Sequence, residues 1–388
     1  MRVLIAHNAY QQKGGEDSVV ASEMAMLESR GVEVAVYSRH NDDIKGMSRL
    51  ALAGQTLWSS RTEADIAKWV ADFRPDVIHA HNTFPLISPS LYVAADKAGV
   101  PVVQTLHNFR LFCPQAMLLR DGKVCEDCLG KSPWRGVARG CYRGSKMQSA
   151  VIGGMQVLHR ALGTYRNKVT RYIALNEFCR NKFIEGGLPT ERIVVKPNFV
   201  DFAAHQPEPR TGMLFVGRLS VEKGVSTLVK AMALSSGMRL RVAGDGPESG
   251  LLDGVAGVSK LGSLSGEAVR REMSIAAALV VPSIWYENFP RTIVEAFACG
   301  LPVIASRIGA LADIVRDGET GLLFEPGNPR DLADKMAWAQ THPQAMLEMG
   351  KHARLEYEEK YTSECNFGQL MAIYEEAIRV RKSEARRG

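Results

Sequence analysis

Runs of aliphatic and β-branched residues alternate with segments of helical spacing along almost the whole chain. In the first half the apolar runs are Arg2–His7, Val32–Arg39, Asp76–His81, Pro101–His107, Arg171–Asn176 and Ile193–Asn198. Most are continuous rather than alternating, which predicts parallel strands covered on both faces. Between the first two lies the amphipathic segment Ser18–Arg30, closed by Gly31 where a left-handed C-terminal residue is expected. Asp201–Gly212 (DFAAHQPEPRTG) carries two prolines and no period, and reads as a linker. The alternation then restarts with Met213–Gly217, Arg239–Gly244, Ser259–Gly262, Ala278–Ser283 and Pro302–Ser306, and the final part of the chain is mainly helical. This order predicts an α/β protein of two Rossmann-like, doubly wound domains, residues 1–200 and 201–360. Residues 361–388 read as a C-terminal helix and basic tail able to pack back on the first domain. Ligands of such folds bind outside the carboxyl ends of the strands, so a central cleft is expected.

Composition narrows this without changing it. A chain of 388 residues, 46% hydrophobic and 23% charged, is globular and long enough for two cores. No apolar run approaches the ~20 residues of a membrane span. The opening MRVLIAH reads as a buried strand rather than a signal peptide, which places the protein in the cytoplasm. Seven cysteines, an odd number in a long chain, do not suggest a secreted disulfide framework.

Candidate chemistry gathers in the second half. In ENFPRTIVEAFACGLPVIAS, Pro290 suits the first position of a helix that runs to about Cys299, with Asn288 or Phe289 as its cap. Glu287 then lies in the loop ahead of the helix and Glu295 on its second turn, so the two do not share a helical face. Exposed N–H groups at the helix start suit a phosphate, and flanking carboxylates would accept hydrogen bonds from sugar hydroxyls. A capped helix with solvent-facing glutamates is the alternative. LFVGRLSVEKG places Arg218 and Lys223 in a strand-to-helix loop, a pair of cations suited to a diphosphate unless both are merely solvated. VAGDGPE is a further glycine-rich turn. Neither a P-loop nor a dinucleotide fingerprint after the first strand is present. In the first half, HNAYQQKGGEDSVV holds Gly14 and Gly15 before a helix, and His107 ends the strand VVQTLH. His79 and His81 fall on one face of their strand, where a structural role is favoured over a metal pair.

Together GRLSVEKG, AGDGPE, the E-x7-E segment and GALADIVRDGETGLLFEPGNP resemble the family 4 retaining glycosyltransferases of GT-B fold. The resemblance implies that Arg218 and Lys223 contact the diphosphate of a UDP- or GDP-linked sugar donor. It implies that Glu295 holds the ribose, Glu287 faces the transferred sugar, and the backbone of Asn288, Phe289 and Pro290 approaches sugar and phosphate. Lys260 and Leu261 would flank the base. Gly15 would lie over the phosphates and His107 beside the transferred sugar, giving His107, Glu287, Arg218 and Lys223 as the catalytic set. Members often carry glycine where Pro290 stands. No D-x-D occurs, in agreement with metal-independent transfer. The acceptor expected is a saccharide or a polyprenyl-linked saccharide.

Two features are less usual. Cys113, Cys125, Cys128 and Cys141 follow C-x11-C-x2-C-x12-C, a spacing that suits a structural zinc, with reduced buried thiols or a disulfide pair as alternatives. The set resembles an insertion in a subset of bacterial members. From Cys128 to Asn176 there is no Asp or Glu and there are nine Lys or Arg. Such a stretch suits an anionic membrane surface or a phosphate-bearing acceptor, unless it is simply a solvated face over a core helix. A zinc-ribbon-like nucleic-acid-binding protein is the competing function class, but Trp134, Tyr142, Tyr165 and Tyr172 are too scattered for base stacking. A transferase to soluble acceptors, of sucrose- or glycogen-synthase type, is a nearer alternative.

Overall fold

The computed structural model describes residues 1–11, 14–201 and 210–386. Most of the linker segment read at 201–212 therefore lies outside the described residues, as do the last two residues of the basic tail. The chain forms two compact units: Met1–Leu118 with Glu126–Pro197 and Asn366–Gly388, and Asn198–Cys365 with Leu119–Cys125.

The first unit is built on strands β1 (Arg2–Ala9), β2 (Glu33–His40), β3 (Val77–Ala80) and β4 (Val102–Thr105). After the short hairpin strands β5 (Leu119–Arg120) and β6 (Lys123–Val124) come β7 (Arg171–Ala174) and β8 (Ile193–Val195). The sheet order is β2-β1-β3-β4-β7-β8, all parallel, with Val3 opposite Val34 on one side and Val77 on the other. Val3 to Ala6 of β1 are wholly buried, which is why the run is apolar without a break.

The second unit repeats the plan with β9 (Met213–Val216), β10 (Leu240–Ala243), β11 (Val258–Gly262), β12 (Ala278–Val281), β13 (Val303–Ser306) and β14 (Gly321–Phe324), in the order β11-β10-β9-β12-β13-β14. Alternate residues of each strand serve opposite layers. Met213, Phe215, Ala278 and Val280 join one core, whereas Leu214, Leu279 and Val281 join the other. Full burial of each such aliphatic or aromatic side chain contributes roughly 1.5–3 kcal/mol, so both sheet faces must be covered by helices. These are two doubly wound α/β domains with parallel sheets, and among the described residues no helix is long and apolar enough to cross a membrane.

Three local readings change. GLLF forms β14, a strand not anticipated in the glycine-rich GETGLLFEPGNP. The first helix spans Gly15–Ser29 rather than beginning at Ser18, because Gly14 is its cap and the Asp17 carboxylate accepts from the Gly14 N–H at 2.8 Å. Pro290 is the residue before the helix Arg291–Ala298, not its first residue, with φ −78° and ψ 86° outside the helical well.

Candidate active site

In the second unit the chemistry sits at the carboxyl ends of β9 and β12. Lys223 is carried by a short 3-10 turn, Val221–Lys223, ended by Gly224 at φ +74°. A Cβ on Gly224 would lie 1.8 Å from the Pro282 carbonyl oxygen, so only glycine lets this turn press against the loop after β12. The Ile284 N–H donates to the Glu222 carbonyl at 2.9 Å and locks the two loops together. That closeness brings the Lys223 ammonium to the Glu287 carboxylate at 2.9 Å, and the Ser283 hydroxyl donates to the same oxygen at 2.5 Å. Glu287 is 5% exposed, so its charge is held by these two donors rather than by water.

Arg218 sits five residues before Lys223 in the same loop; it is exposed and has no carboxylate partner among the described residues. The loop is pinned to AGDGP. The Gly217 N–H donates to the Ala243 carbonyl at 3.0 Å and the Leu219 N–H to the Asp245 carbonyl at 2.9 Å. Glu295 lies on the helix Arg291–Ala298 with Arg291 at 3.7 Å, and burial pushes its carboxyl up despite Arg291 and Arg270. The residue before this helix, Pro290, offers no side-chain cap, and the helix start is the end where partial positive charge accumulates. Asn288 is buried beside Glu287, whereas Phe289 is half-buried and packs into the core, 6.2 Å from the Tyr361 ring. Lys260 is exposed and paired to Asp253 at 2.7 Å, and Leu261 is half-buried.

In the first unit, Gly15 opens the first helix, and among the described residues a Cβ built there meets nothing within 4 Å. The loop before it is tied by Asp17, which accepts from His7 Nε2 at 2.9 Å and from the Tyr10 N–H at 3.3 Å. Burial alone would raise the Asp17 carboxyl, but the Gly14 amide and His7 hold it below its usual range.

His107 lies two residues beyond the end of β4 and lines a hollow with His81, Thr83, Asn108 and Arg110. Its Nε2 is 2.9 Å from His81 Nδ1, and the rings stack with centroids 5.2 Å apart. Burial and the neighbouring His81 hold His107 well below the usual imidazole range, and burial takes His81 down to about 4. Both rings are therefore neutral near pH 7.

Behind them lies a group that the sequence reading did not foresee. Glu23 of the first helix, 1% exposed, approaches His79 Nδ1 at 3.0 Å, His81 Nε2 at 3.4 Å and the Lys196 ammonium at 3.4 Å. Burial would raise this carboxyl, but Lys196 and His79 hold it well below the ordinary range. Lys196 also donates to Asn366 Oδ1 at 2.9 Å, and His79 contacts the Tyr374 hydroxyl at 2.7 Å and the Thr105 hydroxyl at 2.8 Å. Among the described residues, Glu23, His79 and His81 are the set of three or more ligand-type side chains whose ligand atoms fall within 4.8 Å of one another. Both nitrogens of His79 face protein partners and an ammonium stands beside Glu23, so the cluster is a hydrogen-bonded charge network rather than a metal site.

Of the four cysteines, Cys113 and Cys128 are buried and Cys125 and Cys141 half-buried. The zinc expectation rests on spacing alone.

Two six-stranded parallel sheets, each with charged loops at the strands' carboxyl ends, define a two-domain protein of the GT-B class. The family model for glycosyl transferases group 1 matches residues 199–356, and that for Glycosyltransferase Family 4 matches residues 13–204. A phosphatidyl-myo-inositol mannosyltransferase of Mycobacterium leprae is 25% identical over 406 residues, covering 97% of this chain and 96% of the relative. A D-inositol 3-phosphate glycosyltransferase of a Nocardioides strain is 27% identical over 78% of this chain and 68% of its own. The chain spans 55% of the Arabidopsis thaliana sulfoquinovosyl transferase SQD2, at 27% identity. Among solved structures, sucrose-phosphate synthase from Thermosynechococcus elongatus gives a TM-score of 0.71 at 18% identity, covering 98% of this chain and 99% of that one. Anabaena HepE in complex with UDP gives 0.68 at 16% identity, covering 96% and 99%. The chain is a glycosyltransferase of the GT-B fold.

Proposed function

We propose that the protein moves a sugar, with retention of anomeric configuration, from a nucleotide-diphospho-sugar to a hydroxyl of a saccharide or polyprenyl-linked saccharide. The observation that carries this reading is the cation pair at the end of β9. Arg218 is exposed and, among the described residues, has no carboxylate partner, and Lys223 is oriented by Glu287. A leaving diphosphate gains negative charge as the glycosidic bond breaks, and preorganised cations and helix-start amides lower that barrier. The acceptor hydroxyl forms the new C–O bond, the anomeric C–O bond to the diphosphate breaks, and the acceptor proton passes to the leaving phosphate oxygen. No side-chain base is then needed. Glu287 and Glu295 grip hydroxyls of sugar and ribose, and Gly15 and His107 serve the transfer from the first unit. Among the described residues nothing lies within 4 Å of a Cβ built on Gly15, which supports a ligand approaching its backbone. UDP is the nucleotide favoured over GDP, since HepE was solved with UDP, with UDP-glucose, and with UDP and glucose.

Peripheral attachment to anionic lipid is part of the same reading. Trp134, Met147 and Leu162 are 68%, 61% and 53% exposed, on or beside the packed helices Trp134–Ala138 and Lys146–Ala161 within the acid-free stretch. Apolar side chains amid lysines and arginines suit a membrane interface.

The test is direct. UDP-sugars and GDP-sugars are offered to the enzyme, hydrolysis or transfer is followed, and the anomeric configuration of product is read by NMR. Arg218→Ala is expected to lower turnover about a hundredfold or more, as loss of one charge-stabilising donor does elsewhere. Glu287→Gln should lower it while UDP binding persists. Tight nucleic-acid binding without affinity for any nucleotide-sugar would overturn the reading.

A further inference from the structure

Arg110 stands three residues beyond His107 and lines the same hollow. Its guanidinium carbon is 4.6 Å from the centroid of the Phe84 ring and 5.2 Å from that of Tyr142, and the two rings meet edge to face at 5.9 Å. One of its nitrogens donates to the Pro114 carbonyl. Its main chain is fixed as well: the N–H donates to Asn108 Oδ1 at 3.0 Å, and its carbonyl accepts from Gln156 Nε2 at 2.7 Å. The fork is thus immobilised before any ligand arrives, and the entropy that binding normally costs has already been lost in folding.

What this side chain lacks is a counter-charge. Among the described residues no carboxylate lies within 4.0 Å of it. Glu16 acts on it from farther away, but that carboxyl is engaged by Asn108 at 2.9 Å and is itself pushed up by burial. Burial also disfavours the charged form of Arg110. A desolvated cation without a carboxylate is costly, and the cost is recovered when an anion enters. The Tyr142 ring is also touched by Arg143, whose guanidinium carbon lies 5.4 Å from its centroid.

We propose that Arg110 reads a phosphate group on the acceptor, so that the hollow beside His107 takes a phosphate ester rather than a neutral sugar. This rests on the glycosyl-transfer reading above and adds the acceptor's chemical class. Phosphate could come from a soluble sugar phosphate or from a lipid headgroup, and the fork recognises either.

The experiment keeps donor and acceptor apart. With UDP saturating, binding of glucose 6-phosphate and of glucose is measured by calorimetry on the full chain, alongside Arg110→Gln and Arg110→Lys. The wild type should bind glucose 6-phosphate at least tenfold more tightly than glucose. Arg110→Gln should lose that preference, about ten- to a hundredfold in affinity, with UDP binding unchanged. Arg110→Lys, a point charge without the fork, should fall between them and decides the matter if the glutamine variant does not fold. A parallel arm follows co-sedimentation with phosphatidylglycerol vesicles and with phosphatidylcholine vesicles; Arg110-dependent binding there, without glucose 6-phosphate binding, assigns the phosphate to a lipid. Phosphate binding that survives both substitutions, or no phosphate-dependent binding in either arm, overturns the proposal. Failure of the wild type to bind UDP would instead remove the donor reading.

Discussion

Acidification from pH 7.5 to 5 should destabilise the first unit, through histidines that folding keeps neutral. His81 is taken from 6.5 to about 4, chiefly by burial. Its folded pKa lies below its unfolded one, so between those values the unfolded chain binds more protons and stability falls as pH falls. Each pH unit in that window is worth about 1.4 kcal/mol, so at pH 5 the loss from His81 alone is about 2 kcal/mol. His107 is shifted in the same direction and adds to it. For a folding unit on the order of 200 residues, 2 kcal/mol lowers Tm by roughly 4–8 °C. Glu23 works in a lower window: its folded carboxyl is held well below its ordinary value of 4.5, so its contribution stands at pH 5 and is lost only further down. The assay is calorimetric unfolding from pH 7.5 to 5, with imidazole NMR to follow each histidine. A His81→Gln variant should start lower at pH 7.5 but fall less steeply. A His81 resonance titrating near 6.5, or an acid limb unchanged in the variant, would refute the reasoning.

Two further perturbations separate packing from chemistry. Lys196→Met should destabilise the fold by about 3–5 kcal/mol, because Glu23 is left buried without its ammonium; Glu23→Gln in the same chain should recover much of that in denaturant titration. Gly224→Ala should cost at least about 2 kcal/mol and lower UDP affinity, since both the φ of +74° and the Pro282 carbonyl oppose a Cβ there and Lys223 must shift; an unchanged midpoint and an unchanged UDP Kd would show the turn to be slack.

The sheets were legible because parallel strands buried on both faces leave unbroken apolar runs, as in RVLIA and ALVV. GLLF escaped for the opposite reason, since four residues between glycine-rich turns carry no period. The loop GRLSVEKG was legible as chemistry because its cations fall at fixed offsets after a strand. Its pairing with Glu287 spans 64 residues, and only the glycine contact with Pro282 makes the distance short. The Glu23 network was invisible. Glu23 sits in an ordinary amphipathic helix, and its partners Lys196, His79 and, through them, Asn366 and Tyr374 are joined by contacts that no local spacing encodes. Arg110 looked like one basic residue among many until the rings of Phe84 and Tyr142 were seen on it.

The helix Ser363–Ala385 supplies Asn366 to Lys196 and Tyr374 to His79, and Asn366 onward belongs to the first unit although the whole second unit precedes it in the chain. On the ribosome this reverses the usual order in which domains mature. The amino-terminal sheet emerges early, yet its buried lysine and histidine wait for partners translated after residue 365. The second unit is contiguous from Asn198 to Cys365 apart from one hairpin, so it can close on itself while the first is still incomplete. The half of the molecule made first is then the half finished last.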